Sequence, residues 1–235
     1  MSTDNKTSVN EISMLQLSDS FFPTGMYATS NGLEALFYNK RIKKANELRD
    51  LIQIYLEHQI GPADCTALGN SYEYTEKSDL PKVLEVDQTI FSMKLVKEIR
   101  DASSRAGTQL LKCLTFFITN SKLLNLYLEA INKGQASGIY PVALAIASKT
   151  FNIPKNKAGL MLLYSFSVSV VGAALRLGLL QHFEGQRIIH ELKPTILEVV
   201  KNNIDRPLES MWQFAPGIDI IQIVHERMSS KMFIT

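Results

Sequence analysis

An all-α bundle around a buried central helix is the fold this sequence predicts, and three observations predict it. Between Lys157 and Arg176 the chain runs for eighteen residues, Ala158 to Leu175, without a charge. At 1.5 Å per residue this is about 27 Å of apolar helix, near membrane-spanning length. A helix apolar on all sides lies in lipid or at the centre of a helical domain. Three serines and a tyrosine interrupt this one and no second segment reaches membrane length, so it reads as the core of a soluble bundle. Elsewhere apolar residues recur at spacings of three and four, and no stretch shows the alternation of a strand. The 235 residues are 46% hydrophobic and 20% charged, enough to bury a sizeable core in one domain. No repeat, low-complexity linker or composition shift marks a boundary. Residues 1–11 read as a flexible polar tail and residues 12–235 as a single all-α domain of about ten helices.

The elements follow in order. Ile12, Met14, Leu15 and Leu17 suggest a short helix that stops at Ser18-Asp19-Ser20, whose side chains compete for backbone hydrogen bonds. Phe21-Phe22-Pro23-Thr24-Gly25-Met26-Tyr27 is then an apolar loop, since Phe22 precedes a proline and is driven from the helical region. That much apolar surface, worth about 25 cal/mol per Å², predicts that Phe21 or Phe22 is buried and that Gly25 takes a backbone conformation other residues avoid. The loop is also a candidate partner patch. Asn31 and Glu34 have capping-box spacing for a helix from Gly32 to Tyr38. Leu48, Leu51, Ile52, Tyr55 and Leu56 stripe the next helix, which Gly61-Pro62 is expected to break, and Ala63 to Glu76 follows. Ser78 or Asp79 caps a helix with Pro81 in its first turn and an inner stripe of Val83, Val86, Ile90 and Met93. Glu98 to Asn120, Leu123 to Lys133 and Val142 to Phe151 are further helices, the last opened by Pro141. The central helix reaches about Leu180, Gly185 breaks or kinks the chain, and Ile188 to Asn203 continues. A last helix spans about Asp219 to Met228.

Chemistry is sparse. Net charge is +2 with acids and bases interspersed, which argues against nucleic-acid binding through a strong basic face. Cys65 and Cys113 form no C-x-x-C, so neither disulfides nor thiolate zinc is suggested and a cytoplasmic location fits. The polar N-terminus is no signal peptide. His58, His182, His190 and His225 make no H-x-x-x-H pair, Thr24-Gly25 and Gly32 lack the ending of a phosphate loop, and Ser103-Ser104 sit in no nucleophile elbow. No catalytic residue, metal site or cofactor is predicted. From the residues alone this is a helical scaffold or adaptor.

Several stretches, taken together, carry more. They are Leu15 to Tyr27 with Gly32-Leu33-Glu34, Glu98 to Leu111, Gly138 to Ala145, Tyr164-Ser-Phe-Ser, Arg176-Leu-Gly, Gln181 to Gln186, His225-Glu226 and Lys231 to Thr235. In this order they resemble the urease accessory protein UreF family, over roughly Met14 to the end. The resemblance marks Phe21, Phe22, Pro23, Gly25, Tyr27, Gly32, Glu34, Gly107, Tyr140, Pro141 and Gln186 as structural positions. It implies a non-enzymatic, usually homodimeric maturation factor. Such a factor bridges UreD (also called UreH) and the GTPase UreG and helps deliver nickel into apo-urease. The alternative is a regulator that accelerates GTP hydrolysis with a finger arginine, for which Arg100, Arg105 and Arg176 are candidates beside their plainer use in helix-face hydrogen bonds. The chain departs from the family at Gly25-Met26, where a Gly-Gly or Gly-Ser pair is common. It departs also at Ala28-Thr29 and Ile139, where histidines are common, so no nickel role is carried over to those positions. Tyr164, beside the small-residue stripe of Ser165, Ser169, Gly172 and Arg176, is expected at a two-fold interface. Trp212, Phe214, His225, Lys231, Met232 and Phe233 are expected to dock UreD, with the segment from Trp212 to Thr235 ordering on binding. Closure of the domain's own core is the other reading of Trp212 and Phe214. Deleting Lys231 to Thr235 is expected to leave melting nearly unchanged.

Overall fold

Asp79 opens its helix as its position suggests: the carboxylate accepts from Lys82 N–H at 3.2 Å, and Pro81 fills the first turn, where no N–H is needed. Local signals of this kind hold along most of the computed structural model, which describes the backbone of residues 3–235 and the side chains of residues 9–235. The helices are α1 (Thr3–Ser18), α2 (Leu33–Tyr38), α3 (Ala45–Tyr55), α4 (Thr66–Glu76), α5 (Leu80–Met93) and α6 (Lys97–Thr115). They continue with α7 (Lys122–Asn132), α8 (Tyr140–Thr150), α9 (Lys155–Arg176), α10 (His182–Asn203) and α11 (Pro216–Glu226). The fold is all-α, and no strand occurs among the described residues.

The departures from the sequence reading have physical reasons. The first helix begins at Thr3, not Ile12, and the expectation for residues 1 and 2 lies outside the described residues. Gly61-Pro62 breaks nothing. A π-helical segment, Leu56–Cys65, joins α3 to α4 in one unbroken run with Pro62 inside it. Gly61 serves packing: a Cβ there would lie 2.4 Å from a Val199 methyl on α10. Gly185 likewise sits inside an unbroken α10, where a Cβ would meet Val171 of α9 at 2.9 Å. Both glycines let helices approach rather than end them. The helix expected over Glu98 to Asn120 stops at Thr115, and the central helix at Arg176.

α9 touches α1, α2, α3, the π-helical segment, α4, α8 and α10. About two thirds of its most apolar stretch (67%) is buried inside the protein, which makes it a core helix rather than a lipid-facing one. It nevertheless keeps an outer edge at Leu160, Tyr164, Val168 and Gly172. The helix buried on every side is α8, from Tyr140 through Ser148. Two buried acids, neither singled out by the sequence reading, stitch loops to this core. Asp87 of α5 accepts from Tyr127 Oη and from the N–H groups of Ser137 and Ile139, fixing the approach to α8. Asp64, in the π-helical segment, holds Lys94 through both carboxylate oxygens at 2.8 Å, and both side chains are buried.

Cys65 is fully buried, and burial pushes its thiol up to about 12, where almost no thiolate exists at neutral pH. Cys113 is partly exposed. A maleimide at pH 8 is therefore expected to label one thiol per native chain, Cys113, and the second only on unfolding. Two labels in the folded state would show that the core around Cys65 opens.

Candidate functional site

Gly25 adopts φ +81°, the left-handed region a side chain disfavours, and it turns the apolar loop back on itself. Phe22 is thereby buried, while Phe21 points outward at 92% exposure, as the loop's apolar surface requires of one ring only. Tyr27, after the turn, lays its ring on the Arg176 guanidinium, 3.9 Å from ring centroid to the charged carbon. Phe233, about two hundred residues further along the chain, also lies against the guanidinium, at 4.6 Å. Such stacking of an arginine against rings contributes about 0.5–2 kcal/mol per contact. Arg176 Nε donates to Gly172 O at 3.0 Å. Burial pulls this guanidinium's pKa below its ordinary value, with Tyr27 acting in the opposite direction. Arg176 is thus a clamp between two chain ends rather than a free finger.

Glu34 is the second clamp. Its carboxylate does not close a capping box with Asn31; Gly32, at φ +88°, stands at the N-cap. One oxygen accepts Met232 N–H at 2.7 Å and the other accepts Phe233 N–H at 3.1 Å. The second oxygen also lies 3.0 Å from His225 Nε2. His225 Nδ1 lies 2.7 Å from Glu98, whose other oxygen holds Lys231 at 2.7 Å. His225 is 0% exposed. A carboxylate oxygen thus faces each nitrogen of the buried ring. Main-chain bonds complete the seam: Ile234 N–H to Ala28 O and Ser30 N–H to Thr235 O, both 2.8 Å. The clamp therefore joins α2, α6, α11 and the tail.

The middle motif supports this junction from below. Gly107 of α6 faces Gly138 O so closely that a Cβ would lie 2.2 Å from it, and Ser103 Oγ accepts Tyr140 N–H at 3.3 Å. Pro141 is buried in the first turn of α8. Tyr140 is buried, and burial raises its hydroxyl to about 12.

The other sequence candidates divide. Arg100 is committed within the chain, donating to Lys94 O at 3.0 Å and lying over Phe91. Arg105 is exposed and, among the described residues, pairs with no carboxylate. Tyr164 is half exposed on the outer edge of α9. Gln186 is exposed on α10 and makes no side-chain hydrogen bond among the described residues. Trp212 and Phe214 belong to another surface: their N–H groups donate to Pro62 O (3.3 Å) and His58 O (2.9 Å) of the π-helical segment. His225 and Phe233, expected as partner contacts, are buried against their own chain. With Phe233 only 3% exposed and Thr235 buried, the closing residues complete the core, and their deletion would strip it rather than leave melting unchanged. The outward side chains of the junction are Phe21, Tyr27, Met232 and Ile234. No group of three His, Cys, Asp or Glu among the described residues could hold a metal ion.

Sequence comparison matches residues 42–193 to the UreF family. The chain belongs to the UreF family. It is 31% identical over 223 residues to the urease accessory protein UreF of Trichodesmium erythraeum, covering 95% of this chain and 96% of that one. It is 28% identical over 225 residues to the UreF protein of Bacillus sp. strain TB-90, with 95% and 98% covered. A third UreF, from Actinobacillus pleuropneumoniae serotype 5b, is 25% identical over 222 residues. The role that follows is that of a urease accessory protein in urease maturation. Glu98 and Arg176 fall within the matched family region. Glu34 and His225 lie outside it, in the parts that only the near full-length UreF relatives span.

Proposed function

We propose that this protein is a non-enzymatic scaffold that bridges UreD and the GTPase UreG during delivery of nickel into apo-urease. One observation carries the reading: the stretches around Phe22–Tyr27, Gly32–Glu34, Glu98, Arg176, His225 and Lys231–Thr235, all shared with UreF, meet in one internal junction whose outward face is apolar. Rigid aromatic and aliphatic groups held by buried clamps make good docking anchors, since little side-chain freedom is lost on binding. Phe21, Tyr27, Met232 and Ile234 are those groups, and Lys231 borders them. UreD is assigned to this face.

The test is capture of UreD by the Phe21→Asp, Met232→Asp double variant, both positions being exposed. Capture is expected to fall at least tenfold while melting stays unchanged. Wild-type capture by the variant would remove the junction from the interface. A second reading, stimulation of GTP hydrolysis by UreG, draws on one fact: of the three candidate arginines, Arg105 alone is exposed and without an ion pair. Single-turnover hydrolysis accelerated more than about a hundredfold, and lost in Arg105→Ala, would favour it over the scaffold.

Self-association is assigned to the outer edge of α9. The half-exposed Tyr164 stands there with Leu160, Val168 and Gly172, and a two-fold contact is self-complementary. Wild type is expected to sediment as a dimer at micromolar concentration and Tyr164→Asp as a monomer. A dimer that survives the substitution would move the interface elsewhere.

A further inference from the structure

We infer that the groove between α6 and the Pro23–Met26 turn is a docking site for an extended acidic peptide segment with carboxylates three residues apart. The groove encloses about 580 Å³, within the range of pockets that bind ligands. One wall is α6 and the other is the turn, with Ile234 of the tail at its edge. Its lining includes Arg105 and Lys112 and no acidic residue. The neighbouring cations are already neutralised, Lys97 by Asp101 and Lys231 by Glu98. Arg105 and Lys112 have no such partner among the described residues.

The spacing selects the ligand. Arg105 and Lys112 are seven residues apart, two turns of helix, hence on one face and about 10.5 Å apart along the axis. A peptide in the extended polyproline II conformation advances about 3.1 Å per residue with three residues per turn, so carboxylates at positions i and i+3 share a face about 9.3 Å apart and meet the two charges. Thr108 and Gln109 line α6 between the two charges, and Ala102 and Ala106, too small to fill the space, line the groove beside them. Met26 and Ile234 give an apolar flank for the residues between the carboxylates. Recognition of acidic motifs by arginine clusters follows the same logic. The inference does not depend on the scaffold reading, because it concerns a peptide chemistry and not a named accessory protein.

The experiment uses the full chain and a fluorescein-labelled dodecapeptide built on the repeat Glu-Leu-Ala-Glu, with its glutamine counterpart as control. Fluorescence anisotropy at low salt is expected to show saturable binding of the glutamate peptide only, weakened at least tenfold in 0.5 M NaCl. Arg105→Ala combined with Lys112→Ala is expected to weaken binding at least tenfold at unchanged melting. Ala102→Phe, which fills the groove and keeps both charges, should do the same. Lys77→Ala, which changes a charge outside the groove, should have no effect. Equal binding of the two peptides, absence of saturable binding, or indifference to the double substitution and to Ala102→Phe would each overturn the assignment.

Discussion

Replacing His225 by alanine is expected to lower the melting temperature by roughly 6–20 °C and to loosen the tail. The ring is fully buried between Glu34 and Glu98, and its removal leaves two acids facing a cavity. Lys231 still compensates Glu98, but Glu34 keeps only main-chain donors. Removing one partner from a buried pair costs about 3–5 kcal/mol, and about 2–4 °C is lost per kcal/mol in a domain of this size. Because Glu34 also anchors Met232 and Phe233, a protease specific for lysine should cut after Lys231 sooner in the variant. His225→Gln retains a donor for one carboxylate and is expected to recover part of the loss. A His225→Ala protein that melts within a degree or two of wild type, with the tail equally resistant, would show that the network holds nothing.

Lys94→Met is the companion case in the core. The side chain length is kept, yet Asp64 loses both of its charge-assisted bonds while buried. The expected cost is again about 3–5 kcal/mol. Coupling distinguishes this from simple misfit. With Asp64→Leu added, both charges are gone, and a buried ion pair replaced by apolar groups is often neutral or stabilising. The double variant should therefore melt above Lys94→Met and near wild type in a thermal scan. A double variant less stable than either single one would mean that the pair contributes more than charge compensation.

The sequence was most legible where a helix is defined by its own neighbours. Asp79 with Pro81 marks the start of α5, Pro141 the first turn of α8, and Gly134 the end of α7, because caps and turns are local chemistry. It misled at Gly61-Pro62 and at Gly185, where the glycine answers to Val199 and Val171 on other helices and not to its own backbone. The junction was named but not assembled. Glu34, Arg176 and His225 were singled out and Glu98 only as the first residue of a motif, yet periodicity carries no information about a contact such as Glu34 with His225, 191 residues apart. Glu34 looked like a cap because capping uses the same residue at the same spacing. One missed residue did leave a trace: Asp87 lies on the buried stripe between Val83 and Ile90, where an acid needs partners. Asp64, at the start of the helix read over Ala63 to Glu76, left none.

The tail seam has a bearing on timing. Its hydrogen bonds join residues up to 205 apart, from Ser30 to Thr235. At about 5–20 residues per second of synthesis, the ribosome needs roughly 10–40 s to travel from one side of that seam to the other. Through most of that interval Glu34 lacks its imidazole, and Arg176, once made, waits for one of its two rings until Phe233 follows it. The apolar face formed by the two ends therefore comes into being only after the last turns of chain have been translated, and a partner that reads this face will ignore a nascent or truncated copy.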